Sequence, residues 1–301
     1  MSTSNMLRLP DGVRRITVET IRGSFAALEA LPSTGVTERR PALLIPGYTG
    51  SKEDFLPVLA PLAAAGRRVV AIDMRGQYQS PPAADAGGYH LAALAADAAL
   101  IADAVGGRDG APGDSEVHVL GHSFGGLVAR EILLAQAARV GSLTLMSSGP
   151  GALTGPRAAV LRAILSELGP AVPDGLAAEV KRLWDTQLEP AAIADGTPAE
   201  IITFLRTRML SSCPTGLWSM GQHLLACPDR TPALAELATP LLVVYGENDD
   251  AWEPAIQDDM ARRLRARRVC IPGAAHSPAV EAPETAASTL TSFWNSAEAG
   301  H

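Results

Sequence analysis

Apolar residues follow two rhythms along this chain. The runs Ala42–Ile45, Arg68–Ile72, Val117–Leu120, Leu143–Met146 and Leu241–Tyr245 are apolar at nearly every position, the signature of strands buried on both faces. Between them lie longer stretches with helical spacing, Glu53–Ala65, His90–Val105 and Phe124–Ala137. Strands alternating with helices predict a parallel sheet. Val13–Glu19 and Ser24–Leu31 precede this pattern as an antiparallel start, while a short strand at Val269–Ile271 and a helix over Glu284–Trp294 close it.

The rhythm lapses between Gly149 and Pro240. Helical patterns recur there, at Ala158–Leu168, Leu176–Leu188, Ala199–Leu210 and Gly216–Ala226, without a convincing strand. The expected architecture is therefore α/β, a mostly parallel doubly wound sheet with a helical cap inserted before the penultimate strand. The core takes residues 1–149 and 238–301, and the cap or lid takes 150–237. An insertion at the carboxyl end of the strands covers the place where open α/β sheets bind ligands.

Composition narrows the partners. With 32 acidic against 25 basic residues the net charge is −7, which argues against nucleic acid or an anionic membrane surface and favours a small-molecule substrate. The basic run Arg262–Arg268 reads as a solvated helix face. Cys213, Cys227 and Cys270 lack zinc-site spacing and are too few to frame a disulfide scaffold, so reduced thiols are expected. Met1–Asp11 has no cationic start followed by an apolar run, and Asp97 and Asp103 interrupt the Ala-rich stretch Leu91–Val105. The expectation is a cytoplasmic protein, monomer or homodimer.

The candidate chemistry begins at Gly121-His122-Ser123-Phe124-Gly125, between a buried strand and a helix. A sharp strand-to-helix turn needs small residues two positions either side of the serine, exposes its Oγ, and leaves the Phe124 amide free at a helix N-terminus to bind an oxyanion. A serine hydroxyl becomes a good nucleophile when an imidazole removes its proton and a carboxylate fixes that imidazole's tautomer. His276, in the loop Pro272–Pro278 past the last strand, satisfies the order nucleophile, acid, base. His118 reads as a satisfied strand residue, and His122 is expected to project away from the site. The acid belongs in Gly246-Glu247-Asn248-Asp249-Asp250; Asp249 is preferred, with Asp250 the alternative.

On these residues the chain resembles the α/β-hydrolase superfamily, and specifically its capped serine hydrolases, which include carboxylesterases, C–C bond hydrolases and proline iminopeptidases. The resemblance covers roughly residues 40–148 and 238–298. It implies a second oxyanion donor, the Tyr48 amide, although Pro46 stands where the family commonly has histidine before the glycine. Asp73-Met74-Arg75-Gly76-Gln77-Tyr78-Gln79-Ser80 is similar to a family turn with Tyr78 replacing a glycine; Asp73 and Arg75 are read as structural, an ion pair or loop-ordering contact, and Tyr78 as narrowing or decorating the pocket. The implied activity is acyl transfer on a small carboxylic ester or lactone, with no metal and no cofactor. C–C hydrolysis, thioester hydrolysis, aminopeptidase activity and non-catalytic ligand binding are the alternatives on the same fold. Trp184, Trp218 and Met220 are candidates for the substrate pocket.

Overall fold

The computed structural model describes residues 6–33, 39–107, 115–168 and 173–300; the first residues of the N-terminal segment read above, and His301, lie outside these. Its strands are β1 (Val13–Thr20), β2 (Gly23–Ala30), β3 (Arg39–Ile45), β4 (Arg67–Ile72), β5 (Val117–His122), β6 (Val140–Met146), β7 (Leu241–Gly246) and β8 (Arg267–Ile271). They form one sheet in the order β1-β2-β4-β3-β5-β6-β7-β8. β1 and β2 pair antiparallel, β2 meets β4 antiparallel, and every pairing from β4 to β8 is parallel. The α/β class and the mostly parallel sheet expected from the apolar runs are what the chain adopts.

Strand alternation explains why those runs are continuous. In β3, Leu43 and Ile45 enter one hydrophobic layer while Ala42 and Leu44 enter the other; Val70 and Ile72 against Val69 and Ala71 do the same in β4. One layer is completed by α2 (Leu91–Gly106) and α3 (Phe124–Leu134), the opposite one by α1 (Leu56–Ala64) and the C-terminal helix.

Between β6 and β7 the described residues are helical: α4 (Gly155–Leu168), α5 (Pro173–Leu183), α6 (Glu189–Ala194), α7 (Ala199–Ser211), α8 (Pro214–Ala226) and α9 (Thr231–Ala235). The single helix expected over Leu176–Leu188 is α5 continued by a π-helical turn, Trp184–Leu188. Short α6 and α9 carry too few apolar positions to show a helical period. After β7 come α10 (Pro254–Leu264), α11 (Pro278–Glu281) and α12 (Pro283–Ala299).

This helical segment is tied to the strand-end loops at several points. Cys213 N–H donates to Gly76 O at 2.7 Å and Tyr78 N–H to Ser212 Oγ at 3.0 Å. Arg208 of α7 donates through Nη1 to Asp54 Oδ1 at 2.8 Å, both side chains being buried. Arg130 of α3 reaches the carbonyls of Pro150 and Pro228, where the segment leaves and rejoins the sheet layer. No helix among the described residues is long and apolar enough to cross a membrane.

Candidate active site

The turn after β5 is built by glycines that leave no room for a side chain. A Cβ on Gly121 would lie 2.2 Å from Gly125 O, and one on Gly125 would lie 2.4 Å from the carbonyl oxygens of Ile45 and Pro46. Ser123 is thereby held at φ 53°, ψ −120°, a region costing a side-chain-bearing residue about 1–3 kcal/mol. The Ser123 N–H still bonds to Met146 O at 2.9 Å, anchoring the turn to the neighbouring strand. Phe124 opens α3, so its N–H has no acceptor within the helix.

Two loops from distant parts of the chain converge on this serine. His276 Nε2 is 3.0 Å from Ser123 Oγ, and His276 Nδ1 is 2.9 Å from Asp249 Oδ1. The Asp249 carboxylate is fully buried and accepts two further bonds, Ala251 N–H to Oδ1 at 3.0 Å and Gln257 Nε2 to Oδ2 at 2.9 Å. With a carboxylate on Nδ1, that nitrogen carries the proton and Nε2 is left as the acceptor facing the serine hydroxyl. Asp250, the alternative acid, instead receives the Arg157 fork at 3.1 and 2.7 Å and is largely exposed.

His122 departs from its expected orientation. It lines the cavity above Ser123, its ring centroid is 5.1 Å from that of His276, and its Nε2–H donates to His276 O at 2.7 Å. Strand alternation stops predicting direction at the last residue before the turn, which is why the sequence pattern misplaced it. Burial first, and then the neighbouring His276, push the His122 pKa down to about 4. Below the ordinary imidazole value near 6.5 the unfolded chain therefore binds a proton that the folded chain refuses, so stability falls as pH drops from about 6.5 to about 4. That interval corresponds to about 3 kcal/mol. We expect His122→Gln, which keeps a donor for His276 O, to lose correspondingly less stability between pH 7.5 and pH 4 in chemical denaturation. Equal losses in both proteins would refute the assignment.

The Gly47–Ser51 turn after β3 faces the serine from the other side. Gly47 O accepts from Gln77 Nε2 at 2.8 Å and from Gly50 N–H at 3.1 Å, while Ser51 N–H is held by Asp54 Oδ2 at 3.3 Å. Tyr48 lies within this turn and lines the same cavity. Asp73 and Arg75 order the adjoining loop through separate partners: Asp73 with Lys52 Nζ at 2.7 Å, Arg75 with Asp97 at 2.5 Å. Tyr78 does not narrow the cavity. It sits at φ 39°, edge-on to Phe204 with the Lys52 ammonium 4.7 Å from its ring centre.

Above Ser123 and His276 the helices enclose a cavity of about 250 Å³. Its lining is aliphatic, with Leu161, Val180, Leu183, Met209, Leu217 and Leu224 prominent. Trp184, Trp218 and Met220 are not among the lining residues, a correction to the sequence reading. Trp184 is wholly buried with its indole N–H donating to Glu189 Oε2 at 2.9 Å, and Met220 is packed into the interior. On α8 it is Leu217 and Leu224, seven residues apart on one face, that front the cavity; Trp218 is rotated from them by about 100°.

A serine–imidazole–carboxylate relay thus lies at the carboxyl end of the parallel sheet, under a largely apolar cavity. The chain belongs to the alpha/beta hydrolase family, whose model matches residues 42–289. It is 39% identical over 114 residues to a Variovorax paradoxus protein bearing the provisional name carbamate hydrolase RutD, a match spanning 38% of this chain and only 40% of the relative's length. It is 30% identical over 219 residues to the 2-hydroxy-6-oxononadienedioate/2-hydroxy-6-oxononatrienedioate hydrolase 1 of Dechloromonas aromatica, spanning 68% of this chain and 67% of that one. Among solved structures, the enol-lactonase from Burkholderia xenovorans LB400 superposes with a TM-score of 0.68 at 19% identity, covering 93% of this chain and all of that chain.

Proposed function

We propose that this chain is a serine hydrolase acting by acyl transfer on a small carboxylic ester or lactone, with Ser123 as nucleophile, His276 as general base and then acid, and Asp249 orienting the imidazole. The observation carrying this reading is the continuous relay Ser123 Oγ, His276 Nε2, His276 Nδ1, Asp249 Oδ1, with contacts of 3.0 and 2.9 Å. Ser123 Oγ attacks the carbonyl carbon as its proton passes to His276 Nε2, and the backbone amides of Phe124 and Tyr48 receive the developing oxyanion. His276 returns the proton to the leaving alcohol. Water then repeats the sequence on the acyl-enzyme, regenerating the serine hydroxyl and releasing the acid. The helical segment from residue 150 to 237 serves as the cap that keeps bulk water from the acyl-enzyme.

A second reading, C–C bond hydrolysis, is favoured by the name of the Dechloromonas relative. Fluorophosphonate labelling tests the acyl-transfer reading directly. The wild-type chain is expected to take up one phosphonyl group on Ser123, located by peptide mass spectrometry. A folded wild-type chain that stays unlabelled would overturn the reading in favour of a non-catalytic ligand-binding role. Rapid turnover of a vinylogous 1,5-diketone with inert aryl esters would move the chain to the C–C class.

A further inference from the structure

The cavity's chemistry narrows the substrate beyond the ester class, an inference that rests on the acyl-transfer reading of Ser123. Recognition of a charged substrate terminus requires an opposite charge with free hydrogen-bonding capacity inside the site. Apart from the histidines beside Ser123, the only charged side chain lining this cavity among the described residues is Arg157, and both its Nε and Nη2 already serve the Asp250 carboxylate. A carboxylate-ended substrate would meet a guanidinium whose charge Asp250 already balances.

An amine-ended substrate fares no better. Three acidic residues of the helical segment are engaged outside the cavity: Glu179 with Arg182, Asp185 with Lys181 and Arg206, and Glu189 with Arg206 and the Trp184 indole. None of the three lines the cavity. Most of what faces the space above Ser123 is hydrocarbon, which favours a hydrocarbon ligand.

The shape of the space follows from the helices. Ser123 and His276 lie at the sheet, whereas Val180 and Leu183, three residues apart on one face of α5, look into the cavity from a helix that packs on α4, α7 and α8. Both are buried. They form the α5 side of the cavity lining.

We propose that the cavity binds an uncharged aliphatic acyl chain, with Val180 and Leu183 on its α5 side setting the length limit. The chain threads from the carbonyl at Ser123 between Leu161, Leu217 and Leu224 toward α5. Dicarboxylate half-esters and aminoacyl esters are disfavoured, because Asp250 already balances the lining cation Arg157 and no carboxylate lines the cavity among the described residues.

The test uses aryl esters with one leaving group and graded acyl parts: acetyl, butanoyl, octanoyl, dodecanoyl, the suberic half-ester and 8-aminooctanoyl. For the wild-type chain kcat/KM is expected to rise by about threefold per methylene over the shorter acyl groups and then to fall once the chain outgrows the cavity. The two charged eight-carbon esters are expected at least about a hundredfold below octanoyl. Leu183→Trp should lower kcat/KM for the octanoyl ester by about thirtyfold and leave the acetyl ester within about twofold. A flat length profile, preference for the suberic half-ester, or equal losses for both esters in Leu183→Trp would each overturn the proposal.

Calorimetric binding to Ser123→Ala keeps the question decidable without turnover. Methyl octanoate is expected to bind more tightly than monomethyl suberate and methyl acetate; the reverse order overturns the proposal. Hydrolysis and labelling that persist in Ser123→Ala would instead strike at the acyl-transfer reading, so the two failures are distinguishable.

Discussion

Replacing Ser123 with alanine is expected to lower kcat on the best ester of the series by about 10⁴- to 10⁶-fold while leaving the fold intact. Ser123, the proposed nucleophile, sits at φ 53°, and alanine bears the same Cβ as serine, so the backbone conformation costs both residues alike. Nothing in the turn depends on the hydroxyl: the glycine contacts, Ser123 N–H to Met146 O and Gly126 N–H to Ser123 O are all main-chain features. The lost atom is the one facing His276 Nε2 at 3.0 Å. The Phe124 and Tyr48 amides remain in place, so a small residual acceleration over water is expected, and fluorophosphonate uptake should vanish. Thermal melting within a few degrees of wild type accompanies the result. Retention of a tenth or more of the activity in the purified variant would remove Ser123 from the role of nucleophile.

The parts of this arrangement differ in how plainly they were written in the chain. The strands from β3 to β7 were legible because a doubly covered strand tolerates almost no polar residue, and that constraint acts on every position of Ala42–Ile45 or Leu241–Tyr245. The turn at Ser123 was legible for a related reason: contacts of 2.2–2.4 Å at a hypothetical Cβ admit only glycine at positions 121 and 125. Steric necessity leaves marks on sequence. The acid was less legible, because Glu247, Asp249 and Asp250 are chemically alike and differ in what surrounds them. Asp249 is buried against His276, Ala251 and Gln257, and Asp250 is exposed against Arg157.

The cavity lining was least legible. Aromatic and sulfur-bearing side chains look like ligand contacts when a helix is read alone, yet Trp184 and Met220 are interior packing and the wall is leucine, valine and methionine from several helices. A helix facing the sheet on one side and its fellows on the other has two apolar faces, and its own period does not say which one borders empty space. His122 shows the same limit on a smaller scale. Its direction is set by the carbonyl of His276, which lies 154 residues further along the chain, and no local pattern encodes so distant a partner.

The same contrast between neighbours makes Asp249→Asn and Asp250→Asn the sharpest paired test of the site. Asp249 receives donors on both oxygens: the His276 Nδ1–H and the Ala251 N–H on Oδ1, and Gln257 Nε2 on Oδ2. An asparagine here must place its NH₂ against a donor in either orientation. Turned toward His276, the amide forces the ring into the tautomer with the proton on Nε2, which cannot accept from Ser123. Turned toward Gln257, it requires that side chain to flip, and the flip sets Gln257 Oε1 against Trp252 O, to which Nε2 now donates at 2.7 Å. In both orientations the negative charge that stabilises the imidazolium is gone. The expected loss in kcat is about 10³- to 10⁴-fold. Asp250→Asn removes only an exposed partner of Arg157, an interaction whose strength is of the order of 1 kcal/mol or less, so kcat should change by no more than about fivefold. Measuring both variants on one ester at pH 8 decides the matter. A larger loss at Asp250 would mean that the carboxylate beside His276 in the fold is not the one that works with it in the reaction.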